Sequence, residues 1–310
     1  MFLETKNSIN QEVNFSEISG KGVSVFIKRE DQLHPFISGN KFRKLKYNLK
    51  EASNQKKDTI VTFGGAYSNH IAATAAAGFL YNLNTIGVIR GDELANNLES
   101  ILKNNPTLKF ASEHKMEFHF VSRSDYRKKE TTEFINDLKN QFGDFYLVPE
   151  GGTNKYAVKG CEEILNKEDE KFDYICSSIG TGGTISGLIN SIKNHQKVIG
   201  FSALKGDFLQ SEIKKHILRD HNWSLNTEYH FGGYAKVSEE LITFINKFKA
   251  ETNIPLDPVY TGKMIYGIVD LIKEDYFKKG TKILAIHTGG IQGIEGVNQL
   301  LKKKNLPQIN

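Results

Sequence analysis

Strand-like and helix-like segments alternate along nearly the whole chain, and this alternation restricts the fold more than any other feature of the sequence. The strand-like runs are Val23–Lys28, Thr59–Phe63, Thr85–Arg90, Glu117–Val121, Phe145–Val148, Phe172–Ser177, Lys197–Ala203 and Lys282–His287. Helical periodicity fills the intervals at Lys41–Ala52, Asn69–Phe79, Asp125–Phe142, Tyr156–Leu165, Glu239–Phe248 and Lys263–Ile272. Such an order predicts an α/β protein whose parallel sheets are covered by helices on both faces. There are too many strands for one simple sheet, and the break at Pro149-Glu150-Gly151-Gly152-Thr153-Asn154 marks the start of a second lobe. Ligands in this architecture sit at the carboxyl ends of strands, where Gly64–Asn69, Gly151–Asn154, Gly180–Thr184 and Thr288–Gly290 all fall.

One of these turns has a phosphate-binding character. The apolar run Phe172–Cys176 leads through Ser177-Ser178-Ile179 into Gly180-Thr181-Gly182-Gly183-Thr184 and then a helix-like stretch, Ile185 to Lys193. Glycines let backbone approach an anion, threonine hydroxyls add donors, and a helix start offers unpaired N–H groups. The spacing of nucleoside triphosphatases is absent and the dinucleotide glycine pattern is not met, so a phosphate-bearing cofactor is the remaining ligand reading. Close strand-to-helix packing explains the glycines equally well when the loop is taken alone.

The 310 residues suit one large α/β unit or two lobes, and 39% hydrophobic with 25% charged residues is ordinary for a soluble globular protein. The net charge of +5 comes from lysines dispersed among acids, which argues against a nucleic-acid partner. Cys161 and Cys176 lie in a helix-like and a strand-like segment and read as reduced core thiols. Met1–Lys6 has no apolar targeting core and no run is long enough to span a membrane, so a cytoplasmic protein without a membrane partner is expected. Metal-ligand spacings and the Gly-x-Ser-x-Gly signature of serine hydrolases are missing.

Among many lysines, Lys41 is distinguished by its setting. It follows Lys28-Arg29-Glu30-Asp31 and Ser38-Gly39-Asn40 and opens a helix, where the helix terminus and neighbouring cations are expected to lower its pKa toward a reactive amine. A solvated lysine in the first turn is the competing reading. Together with Gly65-Ala66-Tyr67-Ser68-Asn69-His70, Gly180–Thr184, Tyr260-Thr261-Gly262-Lys263 and His287-Thr288-Gly289-Gly290, these motifs resemble the D-cysteine desulfhydrase and 1-aminocyclopropane-1-carboxylate (ACC) deaminase family. These are tryptophan-synthase-β-like, fold-type-II enzymes that use pyridoxal 5'-phosphate. The motifs occur in order across about residues 23 to 293.

The resemblance implies a cofactor in an interdomain cleft between a discontinuous large domain, residues 1–42 and 152–310, and a small domain, 43–151. It implies that Lys41 bonds to the cofactor aldehyde and then shuttles the α-proton. Asn69 would bond the cofactor's phenolic oxygen, and Ser68 with the backbone at Asn69 and His70 would receive the substrate carboxylate. Gly180, Thr181, Gly182, Gly183 and Thr184 would hold the phosphate, with added charge from Lys44. Tyr260 and Tyr234 match tyrosines on the substrate side, and Tyr67 falls among the substrate-binding positions. Competing readings are helix capping for Ser68 and Asn69, a packed side chain for His70, a solvated Lys44 and aromatic packing for the tyrosines. A homodimer is also implied.

Two departures bear on the substrate. ACC deaminases of the family carry a glutamate at the position of Thr261, where it helps protonate the cofactor's ring nitrogen. With threonine there, Thr288 becomes the expected partner, and hydroxyl contacts give a weaker electron sink. β-Elimination tolerates this because the leaving thiolate carries away the electron pair. Tyr67 stands where desulfhydrases of the family commonly have glutamine. The expectation is an enzyme acting on a small amino acid, with D-cysteine desulfhydrase leading and ACC deaminase second. A non-catalytic binder of cofactor or amino acid and a dinucleotide-dependent oxidoreductase are the rivals from other classes.

Overall fold

The computed structural model describes residues 8–37, 39–206 and 208–310. Ser38 and Met1–Lys6, both read in the sequence, lie outside them. Ten strands occur in the described residues: β1 (Asn10–Glu12), β2 (Ser24–Lys28), β3 (Thr59–Gly65), β4 (Asn84–Arg90), β5 (Glu117–Val121), β6 (Tyr146–Val148), β7 (Tyr174–Ile179), β8 (Lys197–Ser202), β9 (Trp223–Asn226) and β10 (Lys282–Ile286). The helices are α1 (Asn40–Asn54), α2 (Asn69–Tyr81), α3 (Leu98–Asn104), α4 (Pro106–Glu113), α5 (Arg123–Tyr126), α6 (Thr132–Phe142), α7 (Lys155–Glu162), α8 (Gly183–Ser191), α9 (Leu209–Lys214), α10 (Glu239–Thr252), α11 (Thr261–Lys273) and α12 (Gly293–Lys303).

The strands form two sheets, one in the order β1-β2-β10-β7-β8-β9 and the other β5-β4-β3-β6. Every pairing is parallel except that of β1 with β2. Central strands are buried on both faces, as in Ile60–Gly64 and Thr85–Ile89, which explains their continuous rather than alternating apolar character. Separate apolar clusters serve the two sheets. One is built around Ile27, Ile199, Phe248 and Ile283, and another around Leu45, Ile60, Ala76 and Val148.

The α/β class and its parallel sheets agree with the sequence reading. The expected helix Asp125–Phe142 is instead two helices, because Thr131 caps α6 by accepting from the Phe134 N–H and leaves the charged stretch 127–130 as a turn. Strands β1 and β9 carry no apolar run and escape a pattern search.

The charged motif Lys28-Arg29-Glu30-Asp31 is a staple rather than part of the cleft. Lys28 Nζ pairs with Asp169 at 2.8 Å with both side chains 1% exposed, and Arg43 grips Glu30 through two bonds of 2.7 and 2.8 Å. Losing one partner of such a buried pair costs about 3–5 kcal/mol. The Arg43–Glu30 pair fixes the start of α1, and Lys28–Asp169 ties the end of β2 to the turn at 167–171. Gly39, at φ +61°, brings that start so close to β10 that a Cβ would lie 2.0 Å from the Thr288 carbonyl oxygen. Only glycine fits there.

Candidate active site

The carboxyl ends of β3, β7 and β10 surround a cavity of about 1000 Å³. Its walls include Lys41, Lys44, Tyr67, Ser68, Asn69, His70, Gly180, Thr181, Gly182, Thr184, Tyr234, Tyr260 and Thr288, residues separated in sequence by up to nearly the whole chain. Gly183 is the one sequence-predicted site residue not on the wall. It lies just behind, where an added Cβ would meet Thr153 Oγ1 at 2.8 Å and Lys44 Nζ at 3.2 Å.

Lys41 and Lys44 stand one turn apart on α1 and face the same loop. Lys44 Nζ donates to the Gly151 carbonyl at 3.0 Å, Thr153 Oγ1 at 3.1 Å and Thr181 Oγ1 at 3.4 Å, while Lys41 Nζ reaches the same Gly151 carbonyl at 3.4 Å. All of these acceptors are neutral. Burial is the first cause that drives the Lys41 pKa well below the lysine range, and the charge of Lys44 is the second. The expected direction therefore holds, but burial outweighs the neighbouring cation. Burial also pulls Lys44 down to about 8.

The glycine-rich loop is a cradle that side chains would fill. Gly182 adopts φ +85° at the start of α8, and a Cβ on Gly180 would stand 3.1 Å from the Tyr260 hydroxyl. Asn40 Nδ2 donates to Thr184 Oγ1 at 2.8 Å, which ties the lysine-bearing helix to this loop. Thr153 and Thr181 hydroxyls meet at 2.6 Å. An ammonium without a carboxylate partner beside a helix start, with hydroxyls around it, is a donor set suited to an anion such as a phosphate.

Across the cleft, Ser68 caps α2, its Oγ accepting from His70 N at 3.2 Å and Ile71 N at 3.4 Å. The His70 N–H is thus engaged by the cap. Its ring is buried and turned to Thr62, with Nε2 2.8 Å from Thr62 Oγ1, whose own proton goes to the Val148 carbonyl. His70 must therefore donate from Nε2, leaving Nδ1 a bare acceptor with no partner. Burial, then Lys41 and Lys44, hold its pKa well below the usual histidine value. The Asn69 amide lies against the turn at Gly290, where a Cβ would be 3.2 Å from Nδ2.

Tyr234 and Tyr260 form an edge-to-face pair with centroids 6.1 Å apart. Burial, followed by the neighbouring Tyr234, keeps the Tyr260 phenol protonated far above its ordinary range. Tyr67 is exposed at the rim, its ring beside Gly296. Thr288, just past β10, shares a 3.2 Å hydroxyl contact with Ser178 on β7.

Thr261 does not line this cavity. It is wholly buried, and its hydroxyl donates to Asp257 at 2.6 Å. The Asp257 carboxylate also accepts from the N–H groups of Val259, Tyr260 and Thr261. Ser178, Thr153 and the Gly151 carbonyl were not singled out as site residues from the sequence, although the loops that contain them were. Cys161 and Cys176 are free and buried, as expected, with burial pushing the Cys161 thiol up to about 11.

A two-sheet α/β protein with a half-buried and a buried lysine one turn apart, an anion cradle and hydroxyls at the strand ends has the attributes of a fold-type-II cofactor enzyme. The profile of the family described as "Pyridoxal-phosphate dependent enzyme" matches residues 10–289, and the chain belongs to that family. It is 32% identical over 305 residues to the bifunctional D-cysteine desulfhydrase/ACC deaminase, mitochondrial, of Arabidopsis thaliana, covering 88% of this chain and 74% of that one. It is 31% identical over 314 residues to the ACC deaminase of Rhizobium rhizogenes, covering 91% of each. A crystal structure of an ACC deaminase homologue superposes with a TM-score of 0.82 at 30% identity, covering 97% of this chain and 94% of that one. The cofactor is pyridoxal phosphate, and within the family this chain falls among the ACC deaminases and D-cysteine desulfhydrases.

Proposed function

We propose that the chain eliminates sulfide from D-cysteine, consuming water and yielding pyruvate, hydrogen sulfide and ammonia. The observation that carries this reading is the neutral floor at the ends of β7 and β10. Ser178 and Thr288 present hydroxyls there, while the Asp257 carboxylate lies outside the cavity wall and is taken up by Thr261 and three backbone N–H groups.

Pyridoxal phosphate, when bound, would supply an aldehyde for the substrate amine and a ring that draws electrons from the α-carbon. Gly180–Thr184 and Lys44 would hold its phosphate, Asn69 its phenolic oxygen and Thr288 its ring nitrogen. Lys41 would be the residue that bonds to it and, as a neutral amine, would take the α-proton. The Ser68 hydroxyl and the Asn69 N–H receive the substrate carboxylate, because the His70 N–H is already bonded to Ser68. Tyr260, kept protonated, donates toward the leaving sulfur, and Tyr234 and Tyr67 bound the substrate side. Residues 1–42 with 152–310 and residues 43–151 act as the two lobes; the separate apolar clusters support this division except at Leu33, Ile37 and Phe42, which pack with Leu45, Ile60 and Val148.

A hydroxyl on the ring nitrogen favours elimination over cyclopropane opening, since the thiolate removes its own electron pair and the ring opening leans harder on the sink. The name of the Rhizobium relative favours ACC deamination, in which ACC and water give 2-oxobutanoate and ammonia. One assay separates the readings: D- and L-cysteine and ACC are supplied to the cofactor-loaded enzyme while sulfide, ammonia and 2-oxo acid are followed together. D-Cysteine turnover should exceed ACC turnover. ACC turnover equal to or greater than that on D-cysteine overturns the proposal, and no turnover of any of the three returns the binding-protein reading.

A further inference from the structure

A second cavity, of about 620 Å³, opens off the main cleft and shares Gly65, Ala66, Arg90, Lys129 and Glu150 with it. The parallel register of β3 and β4 sets Gly65 beside Arg90 at the carboxyl edge of the smaller sheet, the edge at which this architecture binds ligands. Tyr126, the last residue of α5, lines this cavity and is 3% exposed. Its hydroxyl is buried with no hydrogen-bond partner, an arrangement that leaves a donor unsatisfied. Glu150 stands beside that hydroxyl, acting on it through its charge and as an acceptor at the edge of hydrogen-bond reach, so an incoming oxyanion competes with this carboxylate for the donor.

Cations gather around the same phenol. Arg90 Cζ lies 5.6 Å and Lys129 Nζ 5.2 Å from the Tyr126 ring centroid, and Arg123 and Arg127 complete the wall. Two carboxylates oppose them: Glu93 pairs with Arg123 at 3.1 Å and Glu150 with Lys129 at 3.4 Å. Among the described residues Arg90 and Arg127 have no carboxylate partner, so the lining holds four cations against two anions. Arg90 is exposed, and an anion entering from the cleft or from solution can reach it.

We infer that this cavity is an oxyanion subsite in which the Arg90 guanidinium and the Tyr126 hydroxyl hold a carboxylate, sulfonate, sulfate or phosphate group. A guanidinium presents paired donors that match two oxygens of such a group, and the phenol supplies one further donor from the buried floor. A cation would be repelled by the surplus positive charge, and an apolar ligand would leave both donors unmet. The oxyanion is borne on the distal end of an amino acid seated in the main cleft or arrives as a free ion; the chemistry of capture is the same.

Inorganic sulfate is titrated calorimetrically into the cofactor-loaded enzyme at constant ionic strength, with wild type, Arg90→Gln and Tyr126→Phe compared. Tyr126→Phe keeps the ring and its cation contacts and removes only the donor. Arg90→Lys keeps the charge without the fork and serves if the glutamine variant fails to fold. Saturable binding should weaken about tenfold in Arg90→Gln and about threefold in Tyr126→Phe, and only modestly in the rim variant Arg123→Gln. The second arm compares D-cysteine with D-amino acids carrying a β-sulfonate or β-carboxylate. For a substrate-borne group, sulfate competes with the anionic amino acids and Arg90→Gln raises their KM about tenfold. For a free ion, sulfate changes kcat/KM for D-cysteine without competing with it, and Arg90→Gln abolishes that response. Either pattern supports the subsite and identifies its source. No saturable sulfate binding, or binding indifferent to Arg90 and Tyr126, overturns it.

Discussion

Lys41 Nζ and Lys44 Nζ share one acceptor, the carbonyl oxygen of Gly151, at 3.4 and 3.0 Å. Two ammonium groups held this close, without a carboxylate on either, cannot both keep their charge cheaply. In the proposed function the pair would divide the work: Lys41, driven furthest down, would supply the neutral amine, and Lys44 would stay available to an anion.

The first prediction follows from that division. Borohydride reduction of the loaded enzyme should fix the pyridoxyl group on Lys41, as read by peptide mapping. Lys41→Ala should bind cofactor through the loop yet lose turnover by about 10³-fold or more. A label found on Lys44 or any other lysine refutes the assignment.

Lys44 also gives a pH dependence with a definite sign. In the folded protein it loses its proton near pH 8, while the ordinary lysine value is 10.5. The unfolded chain therefore binds more protons between about pH 8 and 10.5, and stability of the cofactor-free protein rises with pH across that window. Lys41 is lowered further and Lys263 is pulled to about 8 as well, so the Lys44 share, including its effect on Lys41, is the difference between wild type and Lys44→Met. That variant should be more stable than wild type at neutral pH, by at most on the order of 3 kcal/mol, with the advantage vanishing above about pH 10. Chemical denaturation at several pH values measures it. A variant less stable than wild type at pH 7 contradicts the reading of Lys44 as an uncompensated buried cation.

The phosphate cradle is best tested at Gly183. Gly182→Val is confounded, because φ +85° strains any side chain and a Cβ would press Ile213 Cγ1 at 3.2 Å. Gly183 has no such backbone constraint, yet its Cβ would push Thr153 and Lys44 away from the helix start. Gly183→Ala should weaken cofactor affinity by about tenfold or more while moving the unfolding midpoint of the cofactor-free protein little. Equilibrium dialysis and thermal unfolding together decide it, and unchanged affinity removes the loop from the site.

Much of this site was legible from local pattern, and the limit of legibility is physical. The loops at Gly65–Asn69 and Gly180–Thr184 announce themselves because tight turns and helix caps need particular residues next to one another in sequence. The contact of Ser178 with Thr288 spans 110 positions and exists because β7 and β10 are neighbours in a sheet, which no local spacing encodes. Thr261 shows the opposite failure. Its position is the one where ACC deaminases of the family carry a ring-nitrogen glutamate, but its hydroxyl turns inward to Asp257, four residues back, just before the helix start. Arg90 reads in sequence as the last residue of a strand; only the β3–β4 register reveals that it borders the cleft.

Thr261 carries a prediction of its own. Thr261→Val removes a hydroxyl that bonds a buried carboxylate and should cost about 1.5–3 kcal/mol of stability. Thr261→Glu sets a second carboxylate against Asp257 and should cost more, without raising ACC turnover relative to D-cysteine turnover. Urea midpoints and the activity ratio are the measurements. A stable glutamate variant with a raised ACC ratio shows that the side chain reaches the cleft after all.

The reaction preference itself should reside in Thr288. Thr288 is 8% exposed, stands just past β10 and, among the described residues, its hydroxyl bonds the neutral Ser178 hydroxyl, so a group held there would meet no full negative charge from this pair. Thr288→Asp brings a carboxylate to that position from a backbone whose carbonyl still accepts the Asn40 N–H at 3.3 Å while Gly39 packs closely against it. A carboxylate that pairs with a protonated ring nitrogen strengthens the electron sink, which helps cyclopropane opening more than sulfide elimination. The ratio of kcat/KM for ACC to that for D-cysteine should rise about tenfold in Thr288→Asp and stay within about twofold in Thr288→Ser, which keeps the hydroxyl. Visible absorbance of bound cofactor is followed in parallel, because a buried aspartate that fails to find a positive partner takes up a proton and acts as a hydroxyl. The ring's spectrum distinguishes the two cases: a carboxylate paired with a protonated nitrogen shifts it, and a protonated aspartate leaves it near that of the wild type. A shifted spectrum with an unchanged ratio would falsify the claim that the charge at Thr288 sets which reaction this enzyme favours.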